Sequence, residues 1–252
     1  MSSDWDDVLA RFAEAPPALL ERREMGRRTE SKFAMPVRAA TALLHGLPSD
    51  YAVLRAGSAL VAAYRTLYFD TEDLEFFHAH RSGRRIRHKV RIRHYPDRAV
   101  SFLEIKTRLG ADQSTKARRP RPYGDSELCP GDVDFIRVHA AGERALHPQA
   151  WIDFRRVTLL GLAMEERVTL DLDLRVTAAG RTESLPDLAV VEVKQPRLDR
   201  GSVAMVALGR AGWREGWASK YCLAIALTRP EVRASRLWPE RRGLTTGAGC
   251  PS

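Results

Sequence analysis

The sequence predicts an α+β protein of mainly antiparallel strands, forming a closed or nearly closed tunnel barrel of about eight strands with flanking helices. Two observations favour this fold class. Most segments after residue 60 alternate aliphatic with polar residues, as strands do when one face is buried. The polar faces also carry cations at matched positions with single acids among them, which a barrel would gather around a polar interior. An open sheet with solvated charges is the alternative.

The first 60 residues predict two helices and one short strand. Residues 3–14 read as a capped amphipathic helix that ends before Pro16 and Pro17, and an Arg-rich linker follows. The segment "TESKFAMP" has the brevity of a strand. The stretch "PVRAATALLHGL", which starts at Pro36, predicts a short helix with proline in its first turn.

The middle of the chain predicts a strand, a helix and a hairpin. Residues 64–71, "YRTLYFDT", are rich in aromatic and β-branched residues and end in a turn signal. A short helix is expected around "EDLEFFHAH". The strand "RRIRHKVRIRHY" follows, and residues 95–98 predict a turn into the partner strand 99–109.

The second half is less regular at its start. Residues 110–150 are polar and rich in proline and glycine, with one helix expected around "GDVDFIRVHAAG". Strands are predicted at 150–161, 166–176 and 188–196. A helix is expected over 200–217, before the apolar run "ASKYCLAIAL", and the Arg-rich tail from residue 229 is expected to be flexible.

Composition points to a soluble cytoplasmic protein with an anionic partner. The net charge of +9 over 252 residues favours nucleic acid, an anionic membrane surface or a phosphate-rich molecule. Three cysteines without metal-ligand spacing indicate a reducing compartment. The N-terminus carries acids where a signal peptide carries bases, and no apolar run approaches the roughly 18 residues of a membrane span.

One strand carries a row of like charges. Alternation places five cations on a single face: Arg85, Arg87, Lys89, Arg91 and Arg93. A nucleic-acid module would interleave aromatic residues for base stacking, and this row has none before Tyr95, which counts against specific nucleic-acid binding.

The lysines are few and regularly placed. The chain has six lysines against 35 arginines. Three lysines follow a glutamate by two residues, which puts each pair on one strand face: Glu30 and Lys32, Glu104 and Lys106, Glu192 and Lys194. Lys220 is expected beside a strand and Lys116 in a basic loop. Such pairs supply cations for a triphosphate and hard ligands for a divalent metal, although solvated ion pairs would explain each one singly.

Six motifs, in order, resemble a known family: "YRTLYFDT", "HKVRIRHY", "FLEIKTR", "ERVTLDLDL", "VVEVKQP" and "ASKYC". They are similar to the VTC-type polyphosphate polymerase domain of the triphosphate tunnel metalloenzyme (CYTH-like) superfamily. The resemblance covers about residues 28–228, leaving residues 1–27 as an N-terminal helix and linker and 229–252 as a basic tail. It implies a tunnel that binds ATP and polyphosphate with Mn²⁺ or Mg²⁺.

The resemblance also implies roles for particular side chains. The expected catalytic residues are Arg91, Arg93, Lys106, Lys220 and Glu192. The expected phosphate- or nucleotide-binding residues are Lys32, Lys116, Arg118, Arg156, Arg167 and Lys194, and the row of cations described above adds Lys89. Glu192 is the expected metal ligand, assisted by Glu30 or Glu104. Because Arg155 adjoins Arg156, either could be the inward-facing arginine.

One departure selects among branches of the superfamily. The wider superfamily begins with E-x-E-x-K, whereas Arg28 stands at the first glutamate position here. The change favours the VTC branch over an adenylate cyclase or a thiamine triphosphatase. The implied reaction transfers the γ-phosphate of ATP to polyphosphate and releases ADP. A triphosphatase using the same tunnel, and a non-catalytic binder of polyphosphate, nucleotide or RNA, are the alternatives.

The regulatory and membrane domains of eukaryotic relatives have no counterpart in these 252 residues. Any membrane association is therefore expected to involve a partner protein. The oligomeric state stays open at this stage.

Overall fold

A computed structural model describes residues 3–22, 28–110, 114–141, 143–216 and 219–232. The expected α+β class with mainly antiparallel strands is confirmed. The strands are β1 (Ala13–Glu14), β2 (Thr29–Pro36), β3 (Tyr51–Val53), β4 (Val61–Asp70), β5 (Arg87–Tyr95), β6 (Val100–Arg108), β7 (Ser114–Arg121), β8 (His147–Gly161), β9 (Arg167–Ala178), β10 (Arg181–Leu185) and β11 (Leu188–Gln195). The helices are α1 (Ser3–Leu9), α2 (Pro17–Arg22), α3 (Val37–His45), α4 (Glu75–Arg81), α5 (Pro130–Ile136), α6 (Val203–Arg210) and α7 (Lys220–Thr228).

A single sheet contains all the strands. Its main path runs β2-β11-β9-β8-β4-β5-β6-β7, and every neighbouring pair on this path is antiparallel. Within the described ranges no ladder joins β2 to β7, so the sheet is open and a closed barrel is not confirmed. Off the path, β3 pairs with β8, β1 with β3, and β10 with β9.

The edge strand β7 corrects the expectation that Lys116 lies in a basic loop. Residues Ser114 to Arg121 pair with β6 along their whole length. The sequence concealed this strand because "STKARRPR" has no aliphatic alternation. Charged residues and a proline are the features that protect an exposed sheet edge from further pairing, which explains both the composition and the open ladder.

The aliphatic strand faces turn outward and are covered by helices, as expected. One cluster joins α1, α3 and α6 to β2, β9 and β11, and includes the buried residues Leu9, Met35, Leu44, Leu170, Val191 and Leu208. A second cluster packs α7 against β8 and β9, and a third packs α4 and α5 on β4, β5 and β6. Each fully buried leucine or phenylalanine contributes about 1.5–3 kcal/mol, so burial of this face holds the sheet's curvature and leaves the polar face inside.

The N-terminal segment differs from the single helix expected over 3–14. Helix α1 ends at Leu9, and Ala13 and Glu14 form a strand parallel to β3. The Ala15 N–H donates to the Val53 carbonyl at 2.8 Å. Pairing with a distant strand thus overrides the local helical pattern. Part of the expected linker, residues 23–27, lies outside the described ranges, as does the tail beyond residue 232.

The expectation that Lys220 lies beside a strand is also corrected, because Lys220 is the first residue of α7. Ser219 caps α7: its hydroxyl accepts the Cys222 N–H at 3.1 Å. Periodicity does not separate a short apolar run in a buried helix from one in a buried strand, so tertiary packing decided this element. None of the described helices has the length and apolar character needed to span a bilayer.

Candidate active site

The concave face of the sheet encloses a cavity of about 630 Å³, within the roughly 300–1,000 Å³ typical of small-molecule sites. All eight strands of the main path and the start of α7 contribute to its wall. The predicted residues that line it are Glu30, Lys32, Lys89, Arg91, Arg93, Glu104, Lys106, Lys116, Arg156, Arg167, Glu192, Lys194 and Lys220. Arg118 is the exception, with Cζ 3.3 Å from the centroid of the Phe102 ring.

Strand alternation explains why these side chains meet. On β5 and β6, Arg91 lies opposite Glu104, and on β6 and β7, Lys106 lies opposite Lys116. Residues directly opposite each other across an antiparallel pair share a face. The regular register therefore brings one face of these strands to the cavity, with the side chains of Lys89, Arg91, Arg93, Glu104, Lys106 and Lys116.

Of the two adjacent arginines, Arg156 faces the cavity. Arg155 lies on the other face of β8, where its Nη1 is 3.6 Å from a carboxylate oxygen of Asp173 and its side chain is 44% exposed. The register of β8 and β9 shifts between Asp153 and Arg155, so simple alternation is interrupted here.

Glu104 organises one group of cations. Its Oε2 lies 2.7 Å from Arg91 Nη2 and 3.7 Å from Arg93 Nη1, and its Oε1 lies 2.9 Å from Lys116 Nζ. Burial would raise the pKa of Glu104, whose side chain is 1% exposed, but the three cations hold it well below its ordinary value. The carboxylate is therefore ionised and orients its cations toward the cavity.

Glu30 and Glu192 form a second group around Lys32. The Lys32 ammonium lies 3.3 Å from Glu30 Oε2 and 3.2 Å from Glu192 Oε1. Lys106 adds a 3.1 Å contact to Glu30, and Lys194 a 3.2 Å contact to Glu192. Burial and the neighbouring carboxylate raise the pKa of Glu30, but the lysines outweigh both and lower it to about 2. The pKa of Glu192 is likewise well below normal.

Asp171 was missed as a site residue by the sequence reasoning. Its two oxygens accept hydrogen bonds from Arg156 Nε at 2.5 Å and Nη2 at 2.8 Å, and Lys220 also pairs with it. Despite burial, Arg156 and Lys220 lower the pKa of Asp171 to about 2. The motif "TLDLDL" holds a signal, since Asp171 alternates with leucines, but Asp173 does so equally. Asp173 has a φ of 52°, in the part of β9 where the register with β8 shifts, and its carboxylate lies beside Arg155 and not in the cavity.

Two tyrosines of β4 were also missed. The Tyr68 hydroxyl accepts a hydrogen bond from Arg91 Nη1 at 2.9 Å. Burial raises the pKa of Tyr68, but Arg91 and neighbouring cations lower it to about 8. The Tyr64 ring lies 5.5 Å from Arg93 Cζ and 5.1 Å from Arg156 Cζ, within cation–π range. These rings hold guanidinium groups in place without neutralising them.

Positive charge exceeds negative charge on this wall. Among the residues that the structure describes, Lys89 forms no salt bridge, and burial among other cations lowers its pKa to about 8. Burial also lowers the pKa of Lys194 to about 8. A bound polyanion would relieve this repulsion, because an opposite charge favours the protonated ammonium. The cavity therefore suits a ligand with several negative charges along its length.

Residues 27–123 match the VTC domain. The predicted resemblance is confirmed over this range. The match contains β2 and β4–β7, and hence the whole Glu104 group together with Glu30, Lys32 and Lys106 of the second group. The rest of the site comes from chain beyond the VTC match: Arg156, Glu192 and Lys220 line the cavity, and Asp171 holds two of these cations.

Solved structures similar to the chain include a candidate adenylyl cyclase from Hippeastrum with a dominant triphosphatase activity (17% identity, TM-score 0.48, covering 79% of this chain and 95% of that one). A candidate adenylate cyclase from Bacillus halodurans has 14% identity and a TM-score of 0.49, covering 81% and 100%. A Pyrococcus horikoshii protein has 14% identity and a TM-score of 0.43, covering 75% and 92%. No curated protein matches the chain.

The donor set of the cavity fits a divalent cation through two carboxylates. Glu30 and Glu192 share Lys32 and are close enough for the Glu192 carboxylate to oppose the lowering of the Glu30 pKa. Mg²⁺ commonly takes one or two carboxylates and completes its shell with water and phosphate oxygens. Glu104 belongs to a different group, and within the described ranges no three acidic, histidine or cysteine side chains converge as metal ligands.

Proposed function

We propose that the chain is a phosphotransferase that extends polyphosphate by transferring the γ-phosphate of ATP to the end of the growing chain. The observation that carries this proposal is the convergence of cations from seven of the eight strands of the main path, and from the start of α7, on one cavity with carboxylates placed among them. The VTC match over residues 27–123 supports it. A linear chain of phosphates has the charge spacing that such a wall complements.

In this proposal Arg91, Arg93, Lys106 and Lys220 contact the reacting phosphates. Each is held in the free protein by a carboxylate or a hydroxyl, so its position is set before the substrate arrives. Phosphoryl transfer needs positioning and charge stabilisation more than covalent chemistry by the protein. An attacking phosphate is already anionic, so the reaction requires no side chain to remove a proton.

The remaining cations bind the rest of the ligand. Arg156 reaches the cavity beside Lys220, while Lys89 carries no salt bridge within the described ranges. Arg118, which packs on Phe102 outside the lining, would contact only a ligand that extends past the cavity. The other members of this set are Lys32, Lys116, Arg167 and Lys194.

Glu192, with Glu30, would hold Mn²⁺ or Mg²⁺. The ion would neutralise charge on the phosphate oxygens. In the free protein Lys32 and Lys194 form ion pairs with these carboxylates. When a metal ion binds, both ammonium groups would turn toward phosphate oxygens instead. Glu104 has a different role here, since its side chain is 1% exposed against 16% for Glu30: it orients Arg91 and Lys116.

The catalytic unit proposed is residues 28–228. Helix α1 packs into the same cluster as Phe33 and Met35, so the preceding segment is joined to this unit by core contacts. ATP and polyphosphate are its proposed partners.

The deciding experiment incubates the purified protein with ATP and Mn²⁺ and separates the products. We expect ADP together with long-chain polyphosphate that an exopolyphosphatase digests. ADP with free phosphate alone would replace the polymerase proposal with a triphosphatase using the same cavity. Binding of ATP without any turnover would leave only a binding module.

A further inference from the structure

Part of the cavity wall is apolar, although most of it is charged. Leu20, from α2, and Leu54, directly after β3, both line the cavity and are half-buried. We call these two side chains the apolar rim. Leu20 precedes the VTC match, which begins at residue 27, so the N-terminal segment contributes to the site.

The apolar rim is held by backbone pairing. Strand β1 pairs with β3, and the Leu54 N–H donates to the Thr158 carbonyl at 2.8 Å. Beneath the rim lies a small buried cluster of Leu19, Ala52 and Leu160. The rim is therefore a built part of the wall.

The rim lies at one end of the cavity. Thr158 follows Val157, which pairs with Val61 at the start of β4. The turn after β5 reaches the same end, because Asp97 accepts the Ala63 N–H at 2.6 Å. This turn carries Arg98, whose guanidinium lies 4.6 Å from the centroid of the Tyr95 ring, and both residues line the cavity. Leucine, tyrosine and arginine side chains that line the cavity thus meet near the start of β4.

The opposite end of β4 contributes Tyr68 to the lining but is otherwise surrounded by cations. Phe69 pairs with Val90, so Lys89 lies beside the end of β4, and Lys89 lies opposite Lys106 on β6. An inorganic phosphate chain gains nothing from leucine side chains, whereas a nucleobase has a flat apolar face that packs on leucine, tyrosine or arginine. The two ends of the cavity therefore match the two ends of a nucleoside triphosphate.

We propose that the apolar rim, with Tyr95 and Arg98, receives the nucleoside of the substrate and directs its phosphates toward Lys89 and Lys106. This inference rests on the proposed function, which makes ATP the donor. It assigns the N-terminal segment a role in selecting a nucleoside triphosphate over an inorganic one.

The test compares two ligands by isothermal titration calorimetry: the β,γ-imido analogue of ATP and the imido analogue of tripolyphosphate. In a Leu20→Ala/Leu54→Ala variant we expect the Kd for the ATP analogue to rise about tenfold, equivalent to about 1.4 kcal/mol. The Kd for the tripolyphosphate analogue should stay unchanged, which also shows that the cavity is folded. Leu198→Ala is the matched control, since Leu198 is exposed and does not line the cavity.

Equal weakening of both ligands, or no weakening of either, would overturn the inference. If the double variant does not fold, Leu20→Ala alone should raise the Kd for the ATP analogue by a smaller factor and leave the Kd for the tripolyphosphate analogue unchanged. An unchanged Kd for the ATP analogue in that variant would overturn the inference equally. A wild-type protein that binds neither ligand would refute the proposed function together with this inference. Selective loss in a protein that makes no polyphosphate would refute the polymerase alone.

Discussion

Lys106 Nζ lies 3.1 Å from both carboxylate oxygens of Glu30, although the two residues belong to strands near opposite ends of the sheet. The backbone ladder does not join these ends within the described ranges. An ion pair across the cavity thus links them where hydrogen-bonded strands do not. The cavity wall is therefore completed on this side by an ion pair between side chains.

Replacing Lys106 should reduce catalysis more than stability. In Lys106→Met we expect turnover of ATP to fall about a hundredfold or more, the range seen when one preorganised charge-stabilising group is lost. Glu30 keeps ion pairs to Lys32 at 3.3 Å and to Arg28 at 3.1 Å, so the fold should persist. Initial rates and circular dichroism measure the two effects. A rate close to wild type would contradict the role given to Lys106.

The adjacent arginines of β8 provide a matched pair of variants. Arg156→Ala should weaken binding of the ATP analogue at least about tenfold, because this guanidinium faces the cavity and charge-assisted contacts are worth about 1.5–3 kcal/mol. Arg155→Ala should leave the affinity unchanged, since that side chain pairs with Asp173 on the other face. Titration calorimetry on both proteins gives the comparison. Equal losses would mean that bulk charge, and not position, determines affinity.

Glu192→Ala should abolish metal-dependent turnover while the protein stays folded. Lys32 retains its 3.3 Å contact with Glu30. Lys194 loses its 3.2 Å contact with Glu192 but can release its proton, because burial already lowers its pKa to about 8. Rates measured across a Mn²⁺ titration should show no activation at any concentration. Glu183→Ala, an exposed position on β10, is the control for loss of one acid. Activity that survives in Glu192→Ala would remove Glu192 from the metal site.

Asp171 should make the free energy of unfolding depend on pH in the acidic range. The folded pKa is about 2, below the ordinary value of 3.8, so its ionised form stabilises the fold above about pH 4. That contribution, roughly 2 kcal/mol, is lost as the pH falls through about 2. In Asp171→Asn, the free energy of unfolding in urea should decline less between pH 4.5 and 2.5 than in wild type. Parallel pH profiles would contradict the depressed pKa.

Tyr221 links α7 to β4 and α4 through a buried carboxylate. Its hydroxyl donates to Asp70 Oδ2 at 2.6 Å, and Asp70 also accepts the N–H groups of Phe76 at 2.8 Å and Phe77 at 2.9 Å. Tyr221→Phe should lower the free energy of unfolding by about 1–3 kcal/mol, because the carboxylate loses a donor in a buried setting. Urea denaturation measures it. Tyr123→Phe, at an exposed tyrosine, should change stability little, and equal effects would refute the link.

The alternation of residues in the sequence was sufficient to predict which side chains share a face in strands with one buried face. The alternation in β5, β6 and β11 correctly grouped Arg91 with Arg93, and Glu192 with Lys194, because period-two geometry needs no knowledge of neighbours. The sequence pattern did not predict β7, whose polar composition reflects its position at the sheet edge. It did not identify α7 either, because a short apolar run is compatible with a buried helix and with a buried strand. The pattern also could not predict that the sheet is open, since closure depends on how β2 and β7, which are far apart in the sequence, approach each other.

The sequence by itself determined which side chains share a strand face, and with them most of the cavity lining and the VTC match. Only the tertiary structure decided that Arg156 faces inward and Arg155 outward, that Asp171 and not Asp173 holds the inner cations, and that Leu20 reaches the same cavity. The physical reason is that a shifted register, a left-handed residue and the pairing of β1 with β3 each depend on contacts between segments far apart in the chain. Alternation within one segment carries no information about them.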